Sequence, residues 1–300
     1  MQKGKVKFGA MLWAFFRFLL VFGLCYVILK PFATKILSAF MSRSDLLDAT
    51  VKYVPKQWSL YFWKHAWEHL QLSTAGVKSL RLAIISAVLQ MITSTMIGYG
   101  LARFKFKGRN LLFVAVILII IIPQQVYSIP QYLGFRFFGI GDLSLNLLDT
   151  DWPVYILAAT GLAMKQCVYV YLMREFFMGM PSDLENAAAV DGASVMGTFT
   201  RIVLPNARTM MVTVFLFAFC WQWTDIRFSS LFFTDHMTMT QVVAAQNQMA
   251  VYTDSGVLDR MGTAIAQNAA AILVILPLVA LAVICQKFLV QSIAQSGLAN

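Results

Sequence analysis

Windows of about twenty mostly apolar residues recur along this 300-residue chain, and they restrict its fold more than any other feature. A helix needs roughly 20 apolar residues to cross about 30 Å of hydrocarbon. Windows of this length therefore predict membrane-spanning helices. We predict an all-α integral membrane protein with six transmembrane helices, at residues 8–29, 82–102, 110 to about 127, 152–173, 209 to about 233, and 261–286.

The composition supports lipid as the main solvent of the chain. Hydrophobic residues make up 59% of it and charged residues only 13%, which is too apolar for a water-soluble domain of this length. The net charge of +10 then reflects the distribution of bases across a membrane rather than nucleic-acid binding. All cysteines lie in or at the edge of predicted spans, which indicates small buried hydrophobes rather than a disulfide framework: Cys25, Cys167, Cys220 and Cys285.

The chain shows no fixed-period repeat, low-complexity tract or long linker, so we predict a single transmembrane domain over 1–300. Its core would span about 75–290, preceded by an extra helix at 8–29. Lysines and arginines divide evenly between the two sides, but short loops dominate the rule that places bases in the cytoplasm. The short acid-free turn at 102–110 therefore predicts cytoplasmic N- and C-termini, because it holds Arg103, Lys105, Lys107 and Arg109.

The loop between the fourth and fifth predicted spans carries a short helix with its own start and stop signals. Ser182, followed three residues later by Glu185, predicts a capping box. Gly192 suits a left-handed C-terminal cap. The small side chains of Ala187 and Ala188 would let a partner backbone approach closely. Two interpretations are open from the residues alone, a docking helix and a helix lying on the membrane surface.

Pro205 marks the expected end of this loop. Proline disfavours helical backbone at the residue before it, here Leu204, and suits the first turn of a new helix. We therefore expect the helical segment to stop at Leu204 and to join the fifth span through a stiff joint.

The same loop resembles the EAA loop of binding-protein-dependent ABC importer permeases, which is written EAA-x3-G-x9-I-x-LP. Two positions depart from it: Asn186 stands where the family has Glu, with Glu185 immediately before, and Thr209 replaces a common proline. The residues in register are Ala187, Ala188, Gly192, Ile202, Leu204 and Pro205.

Other segments extend the resemblance from about residue 58 to the C-terminus, and they point to permeases of the carbohydrate type. The turn 101–109, LARFKFKGR, is similar to their basic turn. Ile122-Pro123-Gln124-Gln125 with Ile129-Pro130 is similar to the helix that follows it, and Trp223-Thr224-Asp225 to a W-N-D segment. The whole resembles the smaller permease subunit of the maltose importer, with six spans and a core of the last five.

The resemblance implies a non-catalytic subunit of the bacterial cytoplasmic membrane that forms half of the path for an oligosaccharide or related sugar. It implies a second permease subunit, two ATPase subunits and an extracytoplasmic solute-binding protein as partners. The chain itself would hold no cofactor or metal, since ATP and Mg²⁺ would bind the ATPase. The helix in 182–195 would be the coupling helix, and the ATPase-coupling residues would be Glu185, Asn186, Ala187, Ala188, Asp191, Gly192, Ile202 and Pro205.

Two further sets of side chains are candidates for contact with the substrate and the binding protein. Polar side chains inside a membrane are functional candidates, although contact between helices is the alternative. We expect the substrate path to include Gln124, Gln125, Trp221, Gln222 and Trp223. The outer loop at 234–260 resembles the segment that reaches into the binding protein, although it could be a solvated loop; its candidates are Gln246, Asn247, Gln248 and Tyr252.

Other functions remain open beside a sugar importer. His65-x-x-Glu68-His69 spells the H-x-x-E-H pattern of inverted zinc peptidases, which sets two imidazoles one helical turn apart. No third ligand is evident, and a five-residue pattern often arises by chance. An importer of a different solute, such as glycerol phosphate, is a second alternative. A secondary transporter would need internal repeats or intramembrane acids, and we see neither.

Overall fold

The computed structural model describes residues 2–140, 143–245, 250–253 and 255–297. Over these residues the chain is mostly helical, and β1 (Phe138–Ile140) pairs antiparallel with β2 (Leu143–Leu145). The helices in chain order are α1 (Gln2–Ser38), α2 (Arg43–Leu47), α3 (Tyr61–His69), α4 (Val77–Arg103), α5 (Arg109–Ile121), α6 (Gln124–Arg136), α7 (Trp152–Thr160), α8 (Gln166–Gly179), α9 (Asp183–Val190), α10 (Val195–Thr198), α11 (Leu204–Thr224), α12 (Ser229–Phe232), α13 (Met239–Ala244) and α14 (Arg260–Gly297). Two π turns, Leu72–Gly76 and Phe199–Val203, precede α4 and α11.

The chain divides into two compact units. One comprises Met1–Leu70 and Ala245–Leu273, and the other Gln71–Ala244 and Val274–Asn300. In the first unit, Phe62 of α3 is completely buried in a cluster with Val251, Ile265 and Ala266.

In the second unit, α4 is the central helix, and both α8 and α11 pack along it. Its buried face is rich in small residues such as Ala83, Ser86 and Ala87. At Gly98 an added Cβ would lie 2.6 Å from Met173 Cβ of α8. Small residues therefore bring these helices into close contact, as is common where lipid supplies no hydrophobic driving force.

Within the part of the chain that the structure describes, four single helices are long and apolar enough to cross a membrane. They are Met11–Ser38, Thr74–Arg103, Val195–Thr224 and Arg260–Lys287. A fifth crossing is added if α5 and α6 together form one. These helices correspond to the first, second, fifth and sixth predicted spans. The third and fourth predicted spans are not single straight helices in the structure.

The third window is bent rather than straight. The axes of α5 and α6 differ by 103° across the break at Pro123. Ile122, before the proline, is extended with φ −65° and ψ 123°, as steric conflict with the proline ring requires. The prediction of a single helix from 110 to about 127 is therefore wrong, because α5 ends at Ile121 and α6 begins at Gln124.

The fourth window is divided into two short helices. Gly161 ends α7 with φ +87°, and Lys165 precedes α8 with φ +61°. Between these points the Gln166 side chain bonds the backbone, accepting from the Ala163 amide at 3.0 Å and donating to the Ala158 carbonyl at 2.8 Å. The buried amide side chain stabilises a break where we expected continuous helix over 152–173.

The expected stop at Leu204 is also wrong. Leu204 is helical, with φ −60° and ψ −44°, and its N–H bonds the Phe199 carbonyl across the π turn. Helix therefore continues over Val195–Thr224. A π turn widens the backbone just where the ring of Pro205 would strike the carbonyl of Arg201, and this removes the need for a break.

Candidate functional site

Two clusters of candidate functional residues lie at the ends of α4, one at each end. This helix has 27 residues, which corresponds to about 40 Å. Near its start, Arg81 forms an ion pair with Asp151 at 2.5 Å. At its last residue, Arg103 approaches the loop that carries α9. We call these the Arg81 end and the Arg103 end.

At the Arg103 end, one guanidinium group holds two parts of the loop. Arg103 Nη2 donates to the Met180 carbonyl at 2.6 Å. Arg103 Nε lies 2.9 Å from Glu185 Oε1, an ion pair without the alignment of a hydrogen bond. The Tyr99 hydroxyl donates to Glu185 Oε2 at 3.4 Å. Glu185, expected to face an ATPase, is thus bound to α4 of its own chain.

The predicted capping box at the start of α9 does not form. Ser182 has helical backbone angles, φ −67° and ψ −18°, and its side chain makes no capping hydrogen bond. The carboxylate of Glu185 points to Arg103 instead of back toward the helix start. A serine further along does act as a cap: Ser194 Oγ accepts from the Gly197 amide at 3.1 Å and begins α10.

The end of α9 is closed by Gly192, as its sequence predicts. Its φ is +77°. The Gly192 amide donates to the Ala189 carbonyl at 3.1 Å, and the Ala193 amide donates to the Ala188 carbonyl at 2.9 Å. These two bonds form a Schellman motif, which needs a left-handed residue at this position.

The coupling residues predicted from the motif do not share one surface. Ala188 is buried at 4% exposure, Ile202 is half-buried, and Glu185 faces α4. The members that lie exposed are Asn186, Ala187, Asp191, Gly192 and Pro205.

Large apolar side chains beside them were missed. Val190 is 88% exposed, Met196 67% and Val195 65%. Their signal was available in the sequence, since valine and methionine stand there among small or polar neighbours such as Ala189, Asp191 and Ser194.

Gln222 and Trp223, two of the predicted path residues, lie in helix packing. Trp223 is 4% exposed, and its Nε1 donates to the Val274 carbonyl at 2.9 Å. Gln222 is 7% exposed and accepts from Ser86 Oγ at 3.5 Å. The expectation that Trp223 lines a path is therefore not supported by its position. Gln222 belongs to a buried polar row that continues through Ser86 to Gln90, whose Nε2 donates to Ser86 Oγ at 2.9 Å.

The other path candidates are more open. Trp221 is 47% exposed, with Lys165 Nζ 5.4 Å from its ring centre. Gln125 is exposed and Gln124 half-buried in the first turn of α6. Over the described ranges, no hydrogen bond joins either glutamine side chain to Gln222. The structure thus leaves Trp221, Gln124 and Gln125 as open candidates.

Asp225 of the W-T-D segment has a structural role. Its carboxylate accepts from the amides of Phe228 at 3.0 Å and Ser229 at 2.5 Å, which begins α12 directly after α11. Burial raises the pKa of Asp225 against the opposing effect of these amides.

A carboxylate also ties together the loops at the Arg81 end. Asp149 accepts from the Thr234 amide at 2.6 Å, the Thr234 hydroxyl at 2.8 Å and the Asp235 amide at 3.0 Å. Burial opposes ionisation, but these bonds outweigh it and lower the pKa of Asp149. Lys78 adds a bond to the His236 carbonyl at 2.5 Å. Side-chain hydrogen bonds therefore connect this end of α4 and the two neighbouring loops.

The predicted binding-protein contacts fall in two groups. Gln246, Asn247 and Gln248 lie outside the described residues. Tyr252 is 56% exposed, and its carbonyl accepts from Arg43 Nη2 at 2.9 Å.

The H-x-x-E-H segment lies on α3. The rings of His65 and His69 stack with centroids 4.0 Å apart and planes 25° apart, so they face each other with their π surfaces. His69 Nδ1 lies 2.9 Å from the His65 carbonyl. Within the described ranges, no group of three or more histidine, cysteine or acidic side chains is placed to hold a metal ion.

Comparisons with known proteins agree on one family. Residues 94–295 match the family described as "Binding-protein-dependent transport system inner membrane component". The probable ABC transporter permease protein YurM of Bacillus subtilis is 26% identical, over 94% of this chain and 86% of that protein. The diacetylchitobiose uptake system permease protein NgcG of Streptomyces coelicolor is 25% identical, over 90% and 83%.

The trehalose transport system permease protein SugB of Mycobacterium tuberculosis is 28% identical, over 75% of this chain and 76% of that protein. The fold is shared with a chain in the crystal structure of a bacterial ABC transporter involved in import of alginate. The TM-score is 0.76 at 17% identity, covering 93% of this chain and 97% of the other.

Proposed function

The chain belongs to the family of binding-protein-dependent transport system inner membrane components, and from this premise we propose that it is the permease subunit of a sugar ABC importer. It would form half of the path and carry out no catalysis. ATP and Mg²⁺ would bind two partner ATPases, a second permease would complete the path, and an extracytoplasmic binding protein would deliver the solute. The observation that carries the proposal is the loop helix α9, in register with the EAA motif and closed by Gly192.

The sugar class is supported by relatives named for sugars. NgcG is named for diacetylchitobiose and SugB for trehalose. We therefore propose an oligosaccharide or related sugar. Glycerol phosphate or another solute is the alternative, and the experiment below distinguishes them.

We propose that α9 is the coupling helix and that its exposed neighbours complete the surface for the ATPase. Val190, Val195 and Met196 offer apolar contact area, and Asn186 offers an amide at the position where the EAA motif has glutamate. Because helix continues from Val195 to Thr224, movement of this surface would reach α11 without a hinge at Pro205. Rigid-body motion of this kind supports alternating access.

Six crossings also belong to the proposal. They would be α1, α4, the bent pair α5 and α6, the broken pair α7 and α8, α11, and α14. The Arg103 end, with the adjacent bases Lys105, Lys107 and Arg109, would face the bacterial cytoplasm together with both termini. The Arg81 end would face outward.

Purification of the tagged chain from its native membrane in mild detergent tests the proposal. We expect mass spectrometry to find a second permease, an ATPase and a solute-binding protein in the sample. The recovered binding protein is then titrated with sugars and with glycerol phosphate, and we expect it to bind an oligosaccharide. A chain that purifies alone with stoichiometric zinc would contradict the proposal and support the peptidase.

A further inference from the structure

We propose that Glu185, Arg103 and Tyr99 form a latch that fastens the coupling helix α9 to the end of α4. The latch would make α4, and not only α11, move with the ATPase-facing surface. Its members are positioning residues, since they would act through the helix that contacts the ATPase. This inference rests on the proposed function of α9.

The first support is the geometry of the ion pair. Arg103 Nε and Glu185 Oε1 are 2.9 Å apart, and their side chains are only 16% and 20% exposed. The Tyr99 hydroxyl donates to the other carboxylate oxygen, Glu185 Oε2, at 3.4 Å. A charge pair shielded from water in this way is screened less by salt than one on an open surface.

The second support is that the α4 side of the latch is already held in place. The Tyr99 ring lies against three aromatic rings, with centroid distances of 4.7 Å to Phe199, 5.4 Å to Phe177 and 5.6 Å to Phe104. Arg103 is anchored by the Met180 carbonyl at 2.6 Å. Pre-positioned groups lose little freedom when they bind Glu185, which favours the contact.

The third support is the packing of α9. The helix packs against α10 and the π turn Phe199–Val203, both of which continue into α11. Glu185 adds a separate connection, to α4. With both connections in place, a displacement of α9 acts on two of the helices that pack in the second unit.

Asn186 and Glu185 are neighbours in α9, and one would face the ATPase while the other contacts α4. Asn186 lies exposed at the register of the family glutamate, while Glu185 is half-buried against α4. Successive helical residues point about 100° apart, so one cannot substitute for the other. The Glu185 carboxylate is therefore used inside the chain, and at the register of the family glutamate the ATPase would meet the uncharged amide of Asn186.

The test compares single and paired variants in the purified complex reconstituted in vesicles. The variants are Glu185→Gln, the single reversals Glu185→Arg and Arg103→Glu, and both reversals together. Glu175→Gln is the matched control, because it makes the same substitution at an exposed glutamate of α8, outside the surface proposed for the ATPase. Sugar uptake and ATP hydrolysis are measured per assembled complex.

We expect each single latch variant to assemble but to lower the uptake obtained per ATP hydrolysed by at least about fivefold, the lower end of typical coupling between sites. The paired reversal should recover part of the loss, because opposite charges again meet. Glu175→Gln should change neither quantity, because the Glu175 side chain is exposed to solvent, where its ion pair with Arg174 contributes little. A residue needed only for folding would lower the yield of complex without changing the ratio of uptake to hydrolysis.

Normal uptake per ATP in Glu185→Gln would overturn the latch, and so would a paired reversal no better than the single ones. If a variant does not assemble, hydrogen exchange over residues 183–190 of the detergent-purified chain replaces the assay. Faster exchange in Glu185→Gln supports the latch, and unchanged exchange overturns it. Failure of the proposed function is separate, since it would appear in the unmodified chain as absence of an ATPase.

Discussion

At the residue scale, the loop helix depends on which of two adjacent side chains faces inward. The motif aligns Asn186 with the family glutamate, and Glu185 stands one position earlier. The sequence therefore located the helix but not the direction of its carboxylate. That direction is set by Arg103, which lies far earlier in the chain and reaches Glu185 only in the folded protein.

Replacing Gly192 with valine should disrupt the end of α9 and reduce transport. At φ +77° a residue with a Cβ is strained by about 1–2 kcal/mol, and a β-branched residue by more. Among the described residues, no heavy atom beyond the glycine and its two chain neighbours lies within 4 Å of the added Cβ, so the cost comes from the backbone alone. We expect normal amounts of chain in the membrane, measured by immunoblot, with reduced sugar uptake in vesicles.

Gly192→Asn is the control for this prediction, because asparagine adopts left-handed backbone more readily than other residues. It should retain much more uptake than Gly192→Val. Equal uptake by the valine variant and the unmodified chain would show that the cap has no part in coupling.

At the scale of elements, Pro123 and Pro205 show what the sequence could not predict. Both follow apolar residues, yet one bends the chain by 103° and the other lies inside a continuous helix. The outcome depends on whether the preceding turn can widen, as it does at Phe199–Val203. That choice is made by tertiary packing, which local propensity does not contain.

The break in the fourth window has a similar origin. Gly161 could have been read as a possible helix end, but nothing about Lys165 predicts left-handed backbone. The buried Gln166 side chain stabilises the break through contacts that exist only after folding. By contrast, the four long helices and the Gly192 cap were predicted, because length, apolarity and glycine are local signals.

The close packing of α4 and α8 leads to a prediction with a control on the same helix. An added Cβ at Gly98 would lie 2.6 Å from Met173 Cβ and 2.9 Å from the Arg174 backbone nitrogen. Gly98→Ala should therefore destabilise the fold by about 1–3 kcal/mol through overpacking. At Gly100 no described heavy atom outside the adjoining backbone of α4 and the two chain neighbours lies within 4 Å of the Cβ position, so Gly100→Ala should be neutral or stabilise by up to about 1 kcal/mol.

Thermal unfolding of both variants in mild detergent measures the difference. A lower midpoint for Gly98→Ala than for Gly100→Ala is expected. Equal midpoints would mean that the two helices are not in close contact at Gly98.

At the scale of the whole molecule, the two ends of α4 must lie on opposite sides of the membrane if the proposed orientation holds. Exposed acids mark each side: Asp183 in α9 beside the Arg103 end, and Asp235 in the loop that Asp149 holds at the Arg81 end. Each can be replaced by a single cysteine after the four native cysteines are changed to alanine.

A membrane-impermeant maleimide should label Asp235→Cys in cells with a permeabilised outer envelope and an intact inner membrane. Asp183→Cys should react only after the inner membrane is opened. The reverse labelling pattern would show that the chain has the orientation opposite to the proposed one. Labelling of both cysteines from outside would show that α4 does not cross the membrane.

The two ion pairs of α4 also restrict the directions in which Arg81 and Arg103 point around the helix axis. Arg81 and Arg103 lie about six helical turns apart, and each pairs with a carboxylate from a different segment of the chain. One residue inserted between them would rotate one guanidinium by about 100° relative to the other and shift it by about 1.5 Å. Both ion pairs could not then form on an undistorted helix. The length of α4 is thus as restricted as its composition, and homologous chains that keep both pairs should vary in loop length but not in the spacing between these arginines.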